Sequence, residues 1–376
     1  MIYFDYASTT PVRKQIIDTY IKVLSSYYGN SDSMHEVGRT ANKLMEQSRE
    51  QIAQLLKVDK DEVIFTSCAS EANNLAIKGY AWKYQHRGKH IITSRVEHSS
   101  VLKSVEQLKD VFGFDVTYLP VNEDGVISLD DLKQALRPDT ILVSLMMVNN
   151  ETGACNPIEE CANYIKANSR AVIHVDAVQG MGKLPLTCAL YDMVSFSAHK
   201  IYGLKGSAVL YKKKNIELVS LISGGQQEMG LRGGTSNAPQ NIVLAKTLRL
   251  MLEEQELSFA YVSSLNQILR NAFASMDGWY VNSPKQASPY ILNVSCAYIG
   301  SEILLNALNT RGFAVSAKST CSSKSKVQSH VLKEMGLEEF RTTNAIRISL
   351  SSMTTKQEVY ALIEALKEIY HEYRTI

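Results

Sequence analysis

Asp192-Met-Val-Ser-Phe-Ser-Ala-His-Lys200 is an apolar run that closes on a serine, a histidine and a lysine. From Asp192 to Ser197 it reads as a buried strand, so Lys200 emerges at a strand end beside polar neighbours. Upstream, Ala171-Val-Ile-His-Val175 is a second short apolar run, ending at Asp176 and followed by Ala-Val-Gln179. Two adjacent strands would then present an amine and a carboxylate at the same edge of a sheet. A solvated lysine paired with an acid is the plain alternative, because an isolated lysine is usually a surface residue. The neighbouring motifs decide between the two.

Working outward, strands and helices alternate. His90 to Ser94 reads as a strand, Ser99 to Phe112 as a helix, Asp115 to Leu119 as a strand and Ser128 to Leu136 as a helix. Thr140 to Val148 is a strand and Pro157 to Asn168 a helix. The pattern predicts a mainly parallel sheet covered by helices on both faces. The polar residues of interest fall just after strands: Glu97-His98, Asn149-Asn150-Glu151, then Asp176 and Gln179. In such sheets ligands bind beyond the carboxyl ends of the strands. Further upstream, Glu62-Val-Ile-Phe-Thr66 reads as a strand running into a helix with Ser70 at its N-cap. Such a junction is either a plain cap or a phosphate site, since free N–H groups and the helix dipole point outward there.

Helices are also predicted from Pro11 to the Gly29-Asn30 turn and over residues 38–56, with His35 in the loop between. Residues 223–235 form the glycine-richest loop, suited to a phosphate or to a tight turn. A long helical region from Ile242 to about Met276 has a polar interruption near Ser258, where a change of domain is expected. Beyond it come strands at Ile291–Ser295 and Ala345–Ser349, a helix at Ser301–Asn309 and a closing amphipathic helix from Thr355 to Tyr373.

The chain has 376 residues, 45% hydrophobic and 21% charged, room for two domains and a sizeable core. A net charge of +2 gives no global pull toward nucleic acid or anionic membrane, and no direct nucleic-acid binding is expected. No signal peptide is read at Met-Ile-Tyr-Phe-Asp5, and the longest apolar run is too short to span a bilayer, so a soluble cytoplasmic protein is expected. The cysteines at 68, 155, 161, 188, 296 and 321 lack metal-ligand spacing and read as reduced thiols, mostly core fillers. Cys321 differs. It lies in Ser316-Ala-Lys-Ser-Thr-Cys-Ser-Ser-Lys-Ser325, without apolar periodicity, where Lys318, Lys324 and Lys326 favour the thiolate. It is a candidate nucleophile or an idle exposed thiol.

An amine and an acid at one sheet edge are what pyridoxal 5'-phosphate (PLP) chemistry requires. The amine forms a Schiff base and the acid keeps the pyridine nitrogen protonated. Taken with Tyr3-Phe-Asp-Tyr-Ala-Ser-Thr-Thr-Pro11, Phe65-Thr-Ser-Cys-Ala-Ser-Glu71, Val148-Asn-Asn-Glu151, Arg232-Gly-Gly-Thr235 and Ile346-Arg-Ile-Ser349, the chain resembles the NifS/IscS-type cysteine desulfurases. These are fold type I enzymes of the class V aminotransferase family, and the resemblance covers nearly the whole chain. It implies an α/β fold, with a large domain built on a mainly parallel seven-stranded sheet between helices and a smaller α+β C-terminal domain. The divisions implied are 1–14, an N-terminal segment packing with the small domain; 15–257, the large PLP-binding domain; and 258–376, the small domain carrying a mobile cysteine loop at about 316–327.

The resemblance implies that Lys200 holds PLP covalently and moves protons, that Asp176 pairs with the pyridine nitrogen and Gln179 with the ring hydroxyl, and that His98 stacks on the ring. Ala69, Ser70, Ser197 and His199 would cradle the phosphate, with Thr235 reaching in from the partner of a homodimer. Asn30, Asn150 and Arg347 would hold the substrate, the arginine by its two-pronged geometry. L-Cysteine would become alanine, with a persulfide formed on Cys321 and passed to a protein acceptor.

Cys68 stands where the family often has glycine, and Lys318-Ser-Thr-Cys321 replaces the usual Gly-Ser-Ala-Cys. The long Cys321-to-Arg347 spacing resembles the long-loop group I enzymes, and the chain stops soon after its last helix. A desulfurase serving tRNA thiolation, for instance a thiouridine synthase, is therefore expected, with an iron–sulfur scaffold as the other acceptor. Rival readings are a selenocysteine lyase, an aminotransferase, a kynureninase-like hydrolase or a non-enzymatic descendant. A nicotinamide-binding domain is disfavoured, since no Gly-x-Gly-x-x-Gly opens a helix after the first strand.

Overall fold

A computed structural model of the chain describes residues 1–317 and 328–374. Its strands are β1 (Ile2–Tyr3), β2 (Val63–Thr66), β3 (His90–Ser94), β4 (Asp115–Leu119), β5 (Thr140–Met146), β6 (Val172–Asp176), β7 (Met193–Ser197), β8 (Ala208–Lys212), β9 (Trp279–Val281), β10 (Ile291–Cys296), β11 (Phe313–Ala314) and β12 (Ala345–Ser349). Seven of them form one sheet in the order β2-β8-β7-β6-β5-β3-β4. All neighbours pair in parallel except at β8, which runs antiparallel to both β2 and β7.

Apart from the edge strand β4, the strands of this sheet are buried on both faces, so their side chains divide between two cores by simple alternation. Phe65, Ile92, Val143, Ile173 and Val194 point into one core, covered by the helix Glu36–Leu56 and others. Their neighbours Ile64, Ile91, Leu142, Val172 and Met193 point into the other, with Leu75, Ile77 and Tyr80. His174 ties the middle of the sheet. Its Nδ1 meets Ser144 Oγ on β5 and its Nε2 meets Ser195 Oγ on β7, both at 2.9 Å. Burial pushes this imidazole down to about 3, so it acts as a neutral bridge that fixes the register of β5, β6 and β7.

A second, three-stranded antiparallel sheet has the order β12-β10-β9. Leu292, Val294, Ile346 and Ile348 pack there against Phe273, Leu362 and Leu366 from the helices Gln255–Ala274 and Lys356–Arg374. The N-terminal β1 pairs with β11, and Phe4 is fully buried in this second core. Asp5 to Thr10 then cross to the large sheet, where Thr10 N–H donates to His199 O at 2.9 Å. No helix among the described residues is long and apolar enough to cross a membrane.

Two local expectations change. The helix after β2 begins at Ala69 with Cys68, not Ser70, at its N-cap. Glu71 reaches back to accept from Ser67 N–H at 2.9 Å, which starts the helix earlier and leaves Ser70 in its first turn. The long helical region breaks at Glu254 rather than near Ser258. Arg13 holds the Glu254 carboxylate by two bonds of 2.9 and 2.7 Å at the break, whereas Ser258 is buried and remains helical.

Candidate active site

At the carboxyl edge of β5, β6 and β7 lies a cavity of about 250 Å³. Among the residues lining it are Ala69, Ser70, His98, Asn150, Asp176, Gln179, His199, Lys200 and Arg347. They come from distant segments because parallel strands deliver their following loops to one edge. Ser197 is buried on β7 opposite Ala208 and does not line the cavity. Thr235 lines a separate pocket with Phe65, Ser67, Glu228 and Arg232. Asn30 is exposed, and its Oδ1 accepts from Asp32 N–H at 3.0 Å, closing its own turn. Cys321 lies outside the described residues.

Lys200 sits in a single turn, Ala198–Lys200, directly after β7. Its Nζ donates to Ala7 O and Ser8 O, both at 2.7 Å, so the N-terminal segment forms one wall of the site. Tyr202 holds the left-handed φ of 66° rare for such a residue, and Thr10 Oγ1 accepts from its N–H at 2.7 Å. The backbone bend behind the lysine is thus clamped by the same segment.

Asp176 ends β6. Its Oδ1 accepts from Val178 N–H at 3.0 Å and its Oδ2 from Asn73 Nδ2 at 2.8 Å. Asn73 also donates to Ser100 Oγ at 2.9 Å, and Ser100 Oγ lies 2.8 Å from His98 Nδ1. Ser100 N–H donates to that same Nδ1 at 3.2 Å, which places the His98 proton on Nε2. Burial lowers the His98 pKa, aided by Lys200 and His330 and opposed by Asp176, so the ring is neutral. Burial, with Lys200, Lys205 and Lys183, also pushes His199 down to about 4.

Arg347 enters from β12 of the other sheet and is 2% exposed. Its Nη1 donates to Asn150 O at 2.7 Å; its Nη2 donates to Asp5 Oδ1 at 2.9 Å and Ser8 Oγ at 2.7 Å. The guanidinium fork is therefore oriented from three sides. Sequence reading missed Asn73, Ser100, Asp5 and Ser8. Only the proximity of Asp5 and Ser8 within Tyr3 to Pro11 could have signalled the last two.

A family model described as aminotransferase class-V matches residues 2–362. The chain belongs to the class-V aminotransferase family. Within that family it is similar to a protein named cysteine desulfurase IscS from Dictyoglomus turgidum, 39% identical over 379 residues, with 100% of this chain and 96% of the relative covered. A solved structure titled NifS-like protein superposes with a TM-score of 0.92 at 36% identity, covering 98% of this chain and 99% of the other. Another, titled SspA in complex with cysteine, has a TM-score of 0.82 at 35% identity, covering 94% and 100%. Class-V aminotransferases of the cysteine desulfurase kind are PLP-dependent.

The cavity suits that cofactor. It offers an amine, a carboxylate backed by two donors, a neutral imidazole and the first turn of a helix at Ala69 and Ser70 for an anion. Asn73 Oδ1 and Arg347 Nε are buried without a hydrogen-bond partner, polar atoms left over at the same site.

Proposed function

We propose that this enzyme converts L-cysteine to L-alanine and moves the sulfur to Cys321 as a persulfide for onward transfer. Lys200, Asp176, His98 and Arg347 lining one cavity support this reading, together with relatives named cysteine desulfurases and a neighbour solved in complex with cysteine. When bound, PLP supplies an electrophilic carbon for the substrate amine and an electron-withdrawing ring.

The chain's own residues do the rest. Lys200 would carry the cofactor and would move the proton at the substrate Cα. Asp176, braced by Val178 and Asn73, would hold the pyridine nitrogen, and Gln179 would meet the ring hydroxyl. His98 would pack against the ring, while Ala69, Ser70 and His199 would hold the phosphate, with Ser197 buried behind them at the end of β7 and Thr235 of a second copy. Asn150 and Arg347 grip the substrate carboxylate; Asp5 and Ser8 orient the arginine before substrate arrives. The Cys321 thiolate attacks the substrate sulfur, the carbon–sulfur bond breaks, and the carbon fragment leaves as alanine after protonation. Thiol plus cysteine thus becomes persulfide plus alanine.

Alanine and sulfide release from L-cysteine with a reductant tests this directly, with wild type beside Cys321→Ala, both PLP-loaded. Wild type should make both products, and the variant should keep its PLP colour yet make neither. Equal release by both overturns the role of Cys321. The acceptor is proposed to be a tRNA-thiolation protein in the cytoplasm, supported by the altered Lys318-Ser-Thr-Cys321. An iron–sulfur scaffold is the competing acceptor. Labelled sulfur delivered from the PLP-loaded enzyme to each candidate acceptor separates the two.

A further inference from the structure

Lys183 has no part in the chemistry above, yet it is 6% exposed and lies beside the site. Gly182, at a left-handed φ of 70°, precedes Lys183 in the turn after β6, where Lys183 N–H donates to Gly180 O at 2.9 Å. A lysine at this depth is ordinarily paired with a carboxylate. Among the described ion pairs none involves Lys183. Its Nζ instead donates to Gln179 Oε1 at 3.2 Å and stands 5.8 Å from the centre of the Tyr290 ring.

The other end of that amide reaches the active site. Gln179 Nε2 donates to Ala7 O at 2.9 Å, and Ala7 O also accepts from Lys200 Nζ. An amide can sit either way round, and its neighbours choose. An ammonium only donates and a carbonyl only accepts, so Lys183 on one side and Ala7 on the other permit a single orientation.

We propose that Lys183 is a positioning residue for the desulfurase reaction: it pins Gln179 Oε1, so that the amide presents N–H to the Lys200 side of the cavity and lowers the proton affinity of the cofactor-bearing nitrogen. This rests on the reading of Lys200 as the PLP lysine. The charged groups facing Lys183 are Lys200, after β7, and Arg347, on β12; His199 and the Tyr290 phenol are neutral neighbours. Burial, with the two cations, pushes Lys183 down to about 7. Below that pH Lys183 and Ala7 O both enforce the orientation, and above it the neutral amine can also accept, which leaves Ala7 O alone to enforce it.

The test is a pH titration of the visible absorption band of the PLP-loaded protein, with the PLP dissociation constant measured alongside. Wild type, Lys183→Met, Gln179→Met and the double variant are compared. Lys183→Met should raise the midpoint by about one pH unit, tenfold in proton affinity, and weaken PLP binding several-fold. Gln179→Met should shift it the same way, and the double variant should match Gln179→Met alone, because Lys183 acts through Gln179. Lys183→Gln, which can donate to Oε1 without charge, should restore at least half of the shift.

A folded Lys183→Met with an unmoved midpoint overturns the proposal, as do shifts that add fully in the double variant. If Lys183→Met does not fold, Gln179→Met carries the test, and its unmoved midpoint overturns the proposal. A band that survives in Lys200→Ala overturns the underlying reading of Lys200, and the role of Lys183 with it. A Lys200-dependent band indifferent to Lys183 overturns the role of Lys183 alone.

Discussion

Two regions of this protein bury charge in opposite ways. Below the glycine-rich loop, Arg49 is fully partnered: its Nη1 and Nη2 meet Glu228 Oε2 and Oε1 at 2.7 and 2.9 Å, and Nη1 also donates to Val63 O at 2.6 Å. Glu228 Oε2 accepts Phe65 N–H at 2.8 Å as well, and the guanidinium lies 4.7 Å from the Phe65 ring centre. Behind the cavity-lining residues Gln179 and His98, Lys183 and Glu97 are buried without an oppositely charged partner among the described residues. The paired set ties the helix Glu36–Leu56, β2 and the loop around Glu228 together, and it holds Glu228 and Met229 at the left-handed φ values of 47° and 57°. The unpartnered groups have their own proton affinities moved by burial instead. One arrangement holds a loop, and the other stands beside a site.

Breaking the paired set should have the largest effect. Arg49→Met leaves the Glu228 carboxylate buried without its cation and should cost about 3–5 kcal/mol, read as a lower denaturation midpoint. Arg49→Met with Glu228→Gln should recover part of that loss, because the uncompensated charge is gone. A double variant no more stable than Arg49→Met alone would assign the loss to packing against Phe65.

Glu97 gives a smaller, pH-dependent effect. Its Oε1 accepts from Ser94 Oγ at 2.6 Å and Met146 N–H at 3.0 Å, while Oε2 is buried without a partner. Burial raises its pKa from 4.5 to about 8, over the opposing pull of those two donors. Between these values the folded protein keeps a proton that the unfolded chain releases, so stability falls as pH rises through this window. Glu97→Gln should therefore match wild type near pH 4.5 and exceed it in denaturation midpoint above pH 8. The same gain at both pH values would remove Glu97 from the unpartnered class.

The smallest effect belongs to a pair with neither depth nor strain. Lys14 and Asp18, at 2.8 Å on the exposed face of the helix Lys14–Ser26, are largely solvated. Lys14→Ala should leave the denaturation midpoint within replicate scatter. A clear loss there would show that depth is not what separates the two regions.

Much of the site was legible in the chain. Lys200, Asp176, Gln179, His98 and Asn150 each follow a strand that burial makes apolar, and parallel strands send such followers to one edge. Arg347 stood out as a cation between Ile346 and Ile348. Asn73 and Ser100 were not legible, because a bridge between Asp176 and His98 depends on how two helices meet, and neither helix's periodicity encodes it. The antiparallel course of β8 was equally hidden, since an apolar run has no direction.

The sequence by itself determined the alternation of elements, the edge on which the reactive residues fall and the family to which the chain belongs. These follow from local periodicity and from residue types held at fixed spacings. Only the tertiary structure decided that Asp5 and Ser8 clasp Arg347, that Glu228 pairs with Arg49, and that Lys183 holds Gln179 without a carboxylate of its own. A hydrogen bond is chosen by proximity after packing, and burial then sets its strength by removing water.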